Sequence, residues 1–357
     1  MIQLVLDDSA VQQHLYPFTL TRSAADIRVG ILTIRQKWEK LLGIKIKVNG
    51  DDYLEPPAGH DTHPVVFSGN IIPSQSFINE LLSGNYSSED FLQQSSVRIL
   101  QHPWHIFEYN DWALREDFKL ITAGRVSQPL PASVVCSSRE NIFIEEGAKL
   151  QPCTLNAATG PIYIGRDAEI MEGASIRGPF ALCEGAVVKM GTRVYGATTI
   201  GPYSLVGGEI KNSVIFGYSN KAHDGYLGDS VIGTWCNLGA GTTNSNIKNN
   251  AGPVKIWSET KGAFITAGIK CGLLMGDYSR CSINSSFNTG TVVGACANIF
   301  GEGLLPKYIP SFSWGAREPA RYLFEKALKD ITNWKKLKNE LLTEKEIQRL
   351  QHIFERL

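Results

Sequence analysis

The sequence predicts an α/β domain joined to a parallel β-helix and followed by a helical C-terminus. Three observations predict it. Apolar runs alternate with segments of helical spacing over about the first hundred residues. One bulky apolar residue then recurs at six-residue steps, on and off, from Ile144 to Ile299. The last stretch, from Glu318 to Leu357, is dense in good helix formers.

The α/β part is expected over residues 1–105. "IQLVLDD" reads as a buried strand ending in two acids, "LTIRQKWEKLL" (Leu32–Leu42) has helical spacing, and "IKIKV" (Ile44–Val48) alternates like a strand. "PVVFSGN" (Pro64–Asn70) is a further apolar run stopped by Gly-Asn, and "SQSFINELL" after it reads as a helix. Strands alternating with helices point to an open sheet, whose ligands sit at the C-terminal strand ends. Those ends carry Asp7, Asp8 and Ser68-Gly69-Asn70. Residues 106–130 form a helical linker, and "PWHIFEYNDWALREDFKLI" (Pro103–Ile121), which overlaps its start, supplies the aromatic packing surface.

The repeat spans residues 131–312. Ile144 and Leu150, then Ile164, Ile170, Ile176, Leu182, Val188, Val194, Ile200 and Val206 keep the six-residue step, interrupted across "NAATGP". It lapses after Val206, returns at Ile232 and Leu238, and runs again through Ile269, Met275, Cys281, Phe287, Val293 and Ile299. Six fits neither a helical nor an alternating strand pattern; it is the signature of a hexapeptide β-helix, one side of a triangular coil per unit. Each coil needs neighbours to bury its core and pair its backbone. Residues 313–357 form the helical tail, with "TEKE" at Thr343 as a capping box; they close the solenoid's end or pack on a neighbour.

Composition narrows the function. There are 35 basic and 35 acidic side chains, so no charge favours nucleic acid or an anionic membrane. The start "MIQLVLDDSA" lacks a basic n-region, no apolar run approaches membrane-helix length, and the seven cysteines show no C-x-x-C pair. A reducing cytoplasm is expected.

"EIKNSVIFGYSNKAHDGYLGDSVIGTWCNLGAGTTNSN" (Glu209–Asn246) resembles the acyltransferase half of the bifunctional family that acetylates glucosamine-1-phosphate and then makes UDP-N-acetylglucosamine. The shared elements are E-x-K-x-S, the His-x-x-Tyr-Leu-Gly-Asp insertion and N-x-G-A-G-T with a further Asn. The wider similarity covers about residues 130–300 and is closest to a short, nucleotidyltransferase-like branch. The resemblance implies a left-handed β-helix, acetyl-CoA as donor, and a homotrimer with its site between neighbouring β-helices. It implies His223 as general base, Lys211 and Arg193 as phosphate ligands, Tyr226 and Asn237 as orienting groups, and Asn246 beside the amine and thioester. An imidazole suits the base because a protonated amine cannot attack a thioester and its ordinary pKa lies near working pH. Read alone, His223 could be structural, Lys211 a solvated corner residue, and Asn237 and Asn246 stacked asparagines of the turns. The family's lysine after the last Asn has no aligned match; Lys248 and Lys255 are the nearest.

"LYPFTLTRSAADIRVG" (Leu15–Gly30) resembles a sugar nucleotidyltransferase segment. The family's Gly-rich phosphate loop is here "DDSAVQQH", without glycine, and the lysine after its Arg-Pro is missing. Asn70 stands nearest to its magnesium aspartate, and Asn is a poorer ligand for that ion. The resemblance implies a Rossmann-like nucleotidyltransferase fold that uses Mg2+ if active. Asp7, Asp8, Arg22, Arg28 and Asn70 form a remodelled nucleotide site or serve as caps and ion pairs. The expected function is an acetyl-CoA-dependent N-acetyltransferase of an amino-sugar phosphate, fused to a sugar-1-phosphate nucleotidyltransferase-like domain. Two alternatives stay open: a nucleotidyltransferase that the β-helix only trimerises, or a non-catalytic sugar-nucleotide-binding module.

Overall fold

A computed structural model describes residues 4–50, 65–83 and 97–357. Its first strand, β1 (Leu4–Asp7), lies between β2 (Lys47–Asn49) and β3 (Val65–Ser68) in a parallel three-stranded sheet. Leu4, Val5 and Leu6 are all buried, as a central parallel strand requires. The helix α1 (Ile34–Leu42) starts at Thr33, which forms a capping box with Gln36, and stops at Gly43 in the left-handed region (φ 69°). It buries Ile34, Trp38 and the side chain of Lys37. After β3 come β4 (Ile71–Ile72), α2 (Gln75–Ser83) and β5 (Arg98–Ile99), with β4 and β5 paired antiparallel.

The connector folds as α3 (His105–Glu108) and α4 (Asn110–Thr122). Asp117 of α4 anchors the first part to it. Its buried carboxylate pairs with Lys37 and accepts the amides of Ile31 (2.7 Å) and Leu32 (3.0 Å).

From Val135 onward the chain is a parallel β-solenoid. Ile144, Ile164, Leu182, Ile200, Ile215, Ile232, Met275, Val293 and Ile309 stack in successive coils. A second column holds Leu150, Ile170, Val188, Val206 and Lys221. Leu155, Ile176, Val194, Ile210 and Leu227 fill the third. The hexapeptide expectation is therefore observed, with two corrections. The register does not lapse between Val206 and Ile232. The coils continue there through Ile210, Ile215, Lys221 and Leu227 with shortened corners, and a lysine stands in a core column. Ile269, by contrast, is not a core position and is exposed. Between Asn246 and Cys271 the chain leaves the solenoid as a hairpin of Lys255–Ser258 and Ala263–Thr266, and Ile269 lies on its return.

One corner repeats an unusual backbone. Tyr203, Tyr218, Trp235, Tyr278, Cys296 and Phe312 each take a positive φ of 51–61°. That region is costly for residues with a Cβ. Ring stacking offsets it: Tyr203 lies 5.0 Å from Tyr218, and Tyr218 lies 4.4 Å from Trp235, centroid to centroid. The tail helices α5 (Phe324–Lys336) and α6 (Glu344–Glu355) pack along this corner, burying Trp235, Tyr278 and Phe312 with Ile331 and Leu350. The Thr343 capping box is present at the start of α6.

The first part covers one side of the solenoid. Phe18, Ile106 and Phe107 share a core with Val214, Phe216, Val231, Leu274 and Val292, and Val254 and Ile256 of the excursion join it. No helix among the described residues is long and apolar enough to cross a membrane.

Candidate active site

The side left open by this packing carries most of the expected acyl-transfer residues. Side chains alternate in and out along its strands. Val194, Ile210 and Leu227 point to the core, so their neighbours point outward. In register, Arg193 stacks on Glu209 and Glu209 on Tyr226; Lys211 lies opposite Gly228. Arg193 and Glu209 form a partly exposed ion pair at 3.6 Å. Glu209 was visible only as the first letter of a motif. Its place between Arg193 and Tyr226 is a product of coil stacking.

His223 sits at one border of this face. It lies on the four-residue corner 222–225, between the strands Asn220–Lys221 and Tyr226–Thr234, and is exposed. The corner presses on Gly207 and Gly208. A Cβ on Gly207 would lie 2.5 Å from the Ala222 oxygen, and one on Gly208 2.7 Å from the Gly225 oxygen. Gly225 itself (φ 121°) lies so close to the next coil that a Cβ would meet the Thr242 oxygen at 2.0 Å. These glycines let the His223 corner seat between its neighbours.

At the opposite border a polar network fixes Asn246. Asp229 occupies a corner with φ 46° and is buried. It accepts the Asn212 amide at 2.6 Å and the Asn246 amide more closely still. The Asn246 Nδ2 also donates to the Tyr226 hydroxyl at 3.1 Å. Both amide protons of Asn246 are thus engaged, and its Oδ1 is the group left to meet a ligand, as an acceptor. Burial, then the nearby Asp229 and Glu209 carboxylates, push the Tyr226 phenol up to about 12. Tyr226 therefore stays protonated and can donate at neutral pH. Sequence reading missed Asp229 and Asn212, although Asp229 is the last letter of the Tyr-Leu-Gly-Asp motif.

Asn237 is placed differently. It lies on the adjoining face, beyond the His223 corner, in register with Asn220 and Arg280. Its Oδ1 accepts from Asn220 at 3.4 Å, the stacked-asparagine arrangement. Lys248 and Lys255 are both on the excursion, and Lys255 is exposed on the hairpin.

The residues expected around the N-terminal strand ends do not converge. Asp7 accepts the amide and hydroxyl of Ser9. Asp8 is fully buried against Gly69 and accepts the Ala24 amide at 2.8 Å; its other oxygen, Oδ1, has no hydrogen-bond partner. Burial pushes its carboxyl up to about 6. Arg22 reaches to the solenoid, where it pairs with Asp277, bonds the Thr234 hydroxyl at 2.8 Å and lies over the Phe216 ring. Arg28 donates to the Ile31 carbonyl. Asn70 donates to the Leu100 carbonyl at 2.9 Å while its Oδ1 accepts the Ser68 hydroxyl, which ties β3 to the segment after β5. As placed, these groups do not fit a magnesium site. Asp8 is closed off from solvent, Asn70 is engaged on both atoms, and no cluster of three or more His, Cys, Asp or Glu with metal-binding geometry occurs among the described residues.

Fold and site together define a hexapeptide-repeat β-helix protein with one open polar face, preceded by a small α/β domain. Comparison with known proteins finds the following similarities. Residues 3–96 match the family model described as sugar nucleotidyl transferase. The chain is similar to a bifunctional sugar-1-phosphate nucleotidylyltransferase/acetyltransferase of Sulfurisphaera tokodaii, 32% identical over 201 residues, or 56% of this chain and 43% of the relative. It is also similar to the bifunctional protein GlmU of Methanococcus maripaludis, 31% identical over 213 residues, or 60% of this chain and 45% of the relative. A shorter match, 34% over 103 residues, joins it to the bifunctional protein GlmU of Methanocaldococcus jannaschii, covering 29% of this chain and 25% of the relative. The matched region spans less than half the length of these curated relatives.

Proposed function

We propose that the β-helix is an acetyl-CoA-dependent N-acetyltransferase of an amino-sugar phosphate. The observation that carries this reading is the open face on which Arg193, Lys211 and Tyr226 lie between the exposed His223 and the fixed Asn246. Arg193 and Lys211 supply positive charge for a phosphate. The Tyr226 hydroxyl donates to a sugar oxygen. Asn246 Oδ1 accepts from the amine and holds it, a narrower role than lying beside both amine and thioester. His223 takes the proton that the amine loses as its nitrogen attacks the thioester carbon. The C–S bond then breaks, the leaving thiolate takes that proton from the His223 imidazolium, and coenzyme A departs as thiol with the acetyl group left on nitrogen. A relative named a sugar-1-phosphate nucleotidylyltransferase/acetyltransferase supports acetyl transfer in a sugar-phosphate setting.

The test is turnover with acetyl-CoA and a panel of amino-sugar phosphates, read as free thiol release. His223→Ala is expected to lower kcat by about 10²–10⁴-fold with unchanged folding. Unchanged turnover in that variant overturns the assignment.

The match of residues 3–96 to sugar nucleotidyl transferases favours a second reading, in which the N-terminal domain binds or transfers a sugar nucleotide. No step through magnesium is assigned, because Asp7, Asp8 and Asn70 do not form a site for it. Pyrophosphate release from a nucleoside triphosphate and a sugar-1-phosphate, unaffected by His223→Ala, would identify this activity. We further propose a homotrimer with the acyl site at the subunit border. The corner that bears His223 also exposes Met190 (69%) and Ile283 (67%) in nearby coils.

A further inference from the structure

Lys221 is a lysine in the wrong place for a solenoid. It succeeds Val206 in a core column and is 2% exposed. Its Nζ donates to the Gly207 carbonyl at 3.2 Å and, more closely, to the carbonyl of His223. Burial pushes its ammonium down to about 8. Such a residue costs stability relative to an aliphatic one, so what it holds matters.

Two other corners of the same edge show a different way of holding such a turn. In the corner 189–192 the Thr192 hydroxyl donates back to the Lys189 carbonyl at 2.7 Å. In the corner 282–285 the Ser285 hydroxyl donates back to the Ser282 carbonyl at 2.8 Å. In these two a hydroxyl at the fourth position ties the corner to its start, whereas the corner 171–174 ends in Ala174, and in the adjoining corner 239–242 the Thr242 hydroxyl reaches the next coil at Cys281 and the Ser282 carbonyl. The corner 222–225 ends in Gly225, where a side chain has no room beside Thr242. It also overhangs a shorter corner, since only Gly207 and Gly208 separate the strand Leu205–Val206 from Glu209. The corner that presents His223 therefore has neither the hydroxyl tie nor a full-length corner beneath it.

We propose that Lys221 is a positioning residue for His223, reaching from the solenoid core to tie the His223 carbonyl to that of Gly207. The tie fixes the backbone from which the imidazole projects. Its catalytic meaning rests on the acyl-transfer reading; the tie itself does not.

Lys221→Met tests it, because methionine matches the aliphatic neighbours of that column and adds no donor. The expected variant folds, with a urea midpoint at pH 7 no lower than the parent's. Amide hydrogen exchange at Gly207 and Glu209, whose amides donate to the Lys221 and Gly225 carbonyls on either side of the corner, rises by about tenfold or more, the effect of losing roughly 1.4 kcal/mol of local protection. Exchange at Leu238 and Ile215 stays unchanged. In turnover, kcat falls about tenfold or more while KM for both substrates stays within about twofold, the pattern of a misplaced catalytic group. Unchanged exchange at Gly207 and Glu209 overturns the tie. Faster exchange with unchanged kcat overturns its positioning role. If the parent protein turns over no amine, the acyl-transfer reading fails, while the exchange measurement still decides the tie. Lys221→Leu provides the same readouts should methionine fail to fold.

Discussion

Asp8 has no exposed surface and one oxygen without a hydrogen-bond partner. Burial raises its carboxyl from 3.8 to about 6. A raised carboxyl makes the native state bind more protons than the unfolded chain between those values. Its favourable contribution is full below about pH 4 and is lost as pH rises through about 6. Asp8→Asn keeps an acceptor for the Ala24 amide and removes the buried charge. It is expected to stabilise the protein at pH 8 by up to about 3 kcal/mol, with little gain at pH 4. Urea midpoints at the two pH values check this; equal gains at both would rule out burial of the charge as the cause. At the proposed acyl site the decisive residue is Asp229. It fixes which way the Asn246 amide points and so makes Asn246 an acceptor toward the ligand.

The elements are joined by few but concentrated ties. The α4 carboxylate of Asp117 holds Lys37 of α1 and the amides of Ile31 and Leu32 at one buried point. Asp117→Ala would leave the Lys37 ammonium buried alone. A loss of about 3–5 kcal/mol is expected, measured by chemical denaturation. Lys37→Met with Asp117→Ala should recover part of it, since the uncompensated charge is then gone. Within the solenoid the same economy appears at corners: stacked rings stabilise the left-handed backbone of Tyr203, Tyr218 and Trp235, and glycines admit the His223 corner.

At the scale of the molecule, the first part covers one solenoid side and the tail helices cover a corner. The face with Arg193, Lys211 and Tyr226 is not covered by either, and its border exposes Met190, Tyr195 and Ile283. A trimer is expected by sedimentation velocity at micromolar concentration. Met190→Glu with Ile283→Glu should shift the protein to monomer and lower acyl transfer together, as a site shared between subunits requires. Loss of assembly with full turnover would place the site within one subunit.

The sequence by itself determined the architecture. Six-residue spacing specified the coil because only one side chain per side can face so narrow a core, and Ile144 through Ile232 repeat that demand locally. The caps at Thr33 and Thr343, and the strand β1, were equally local in origin. The motif also pointed to His223, Tyr226 and Asn246. What only the tertiary structure decided is which groups meet. Lys221 lies two residues before His223, yet its core seat follows from pairing with Val206 in the preceding coil. Arg22 resembles a phosphate ligand in sequence, but a carboxylate 255 residues away, Asp277, takes its charge. Asn237 falls on another face than Tyr226 because a corner intervenes. Coil stacking and domain packing set these pairings over long sequence distances, and no spacing along the chain encodes them.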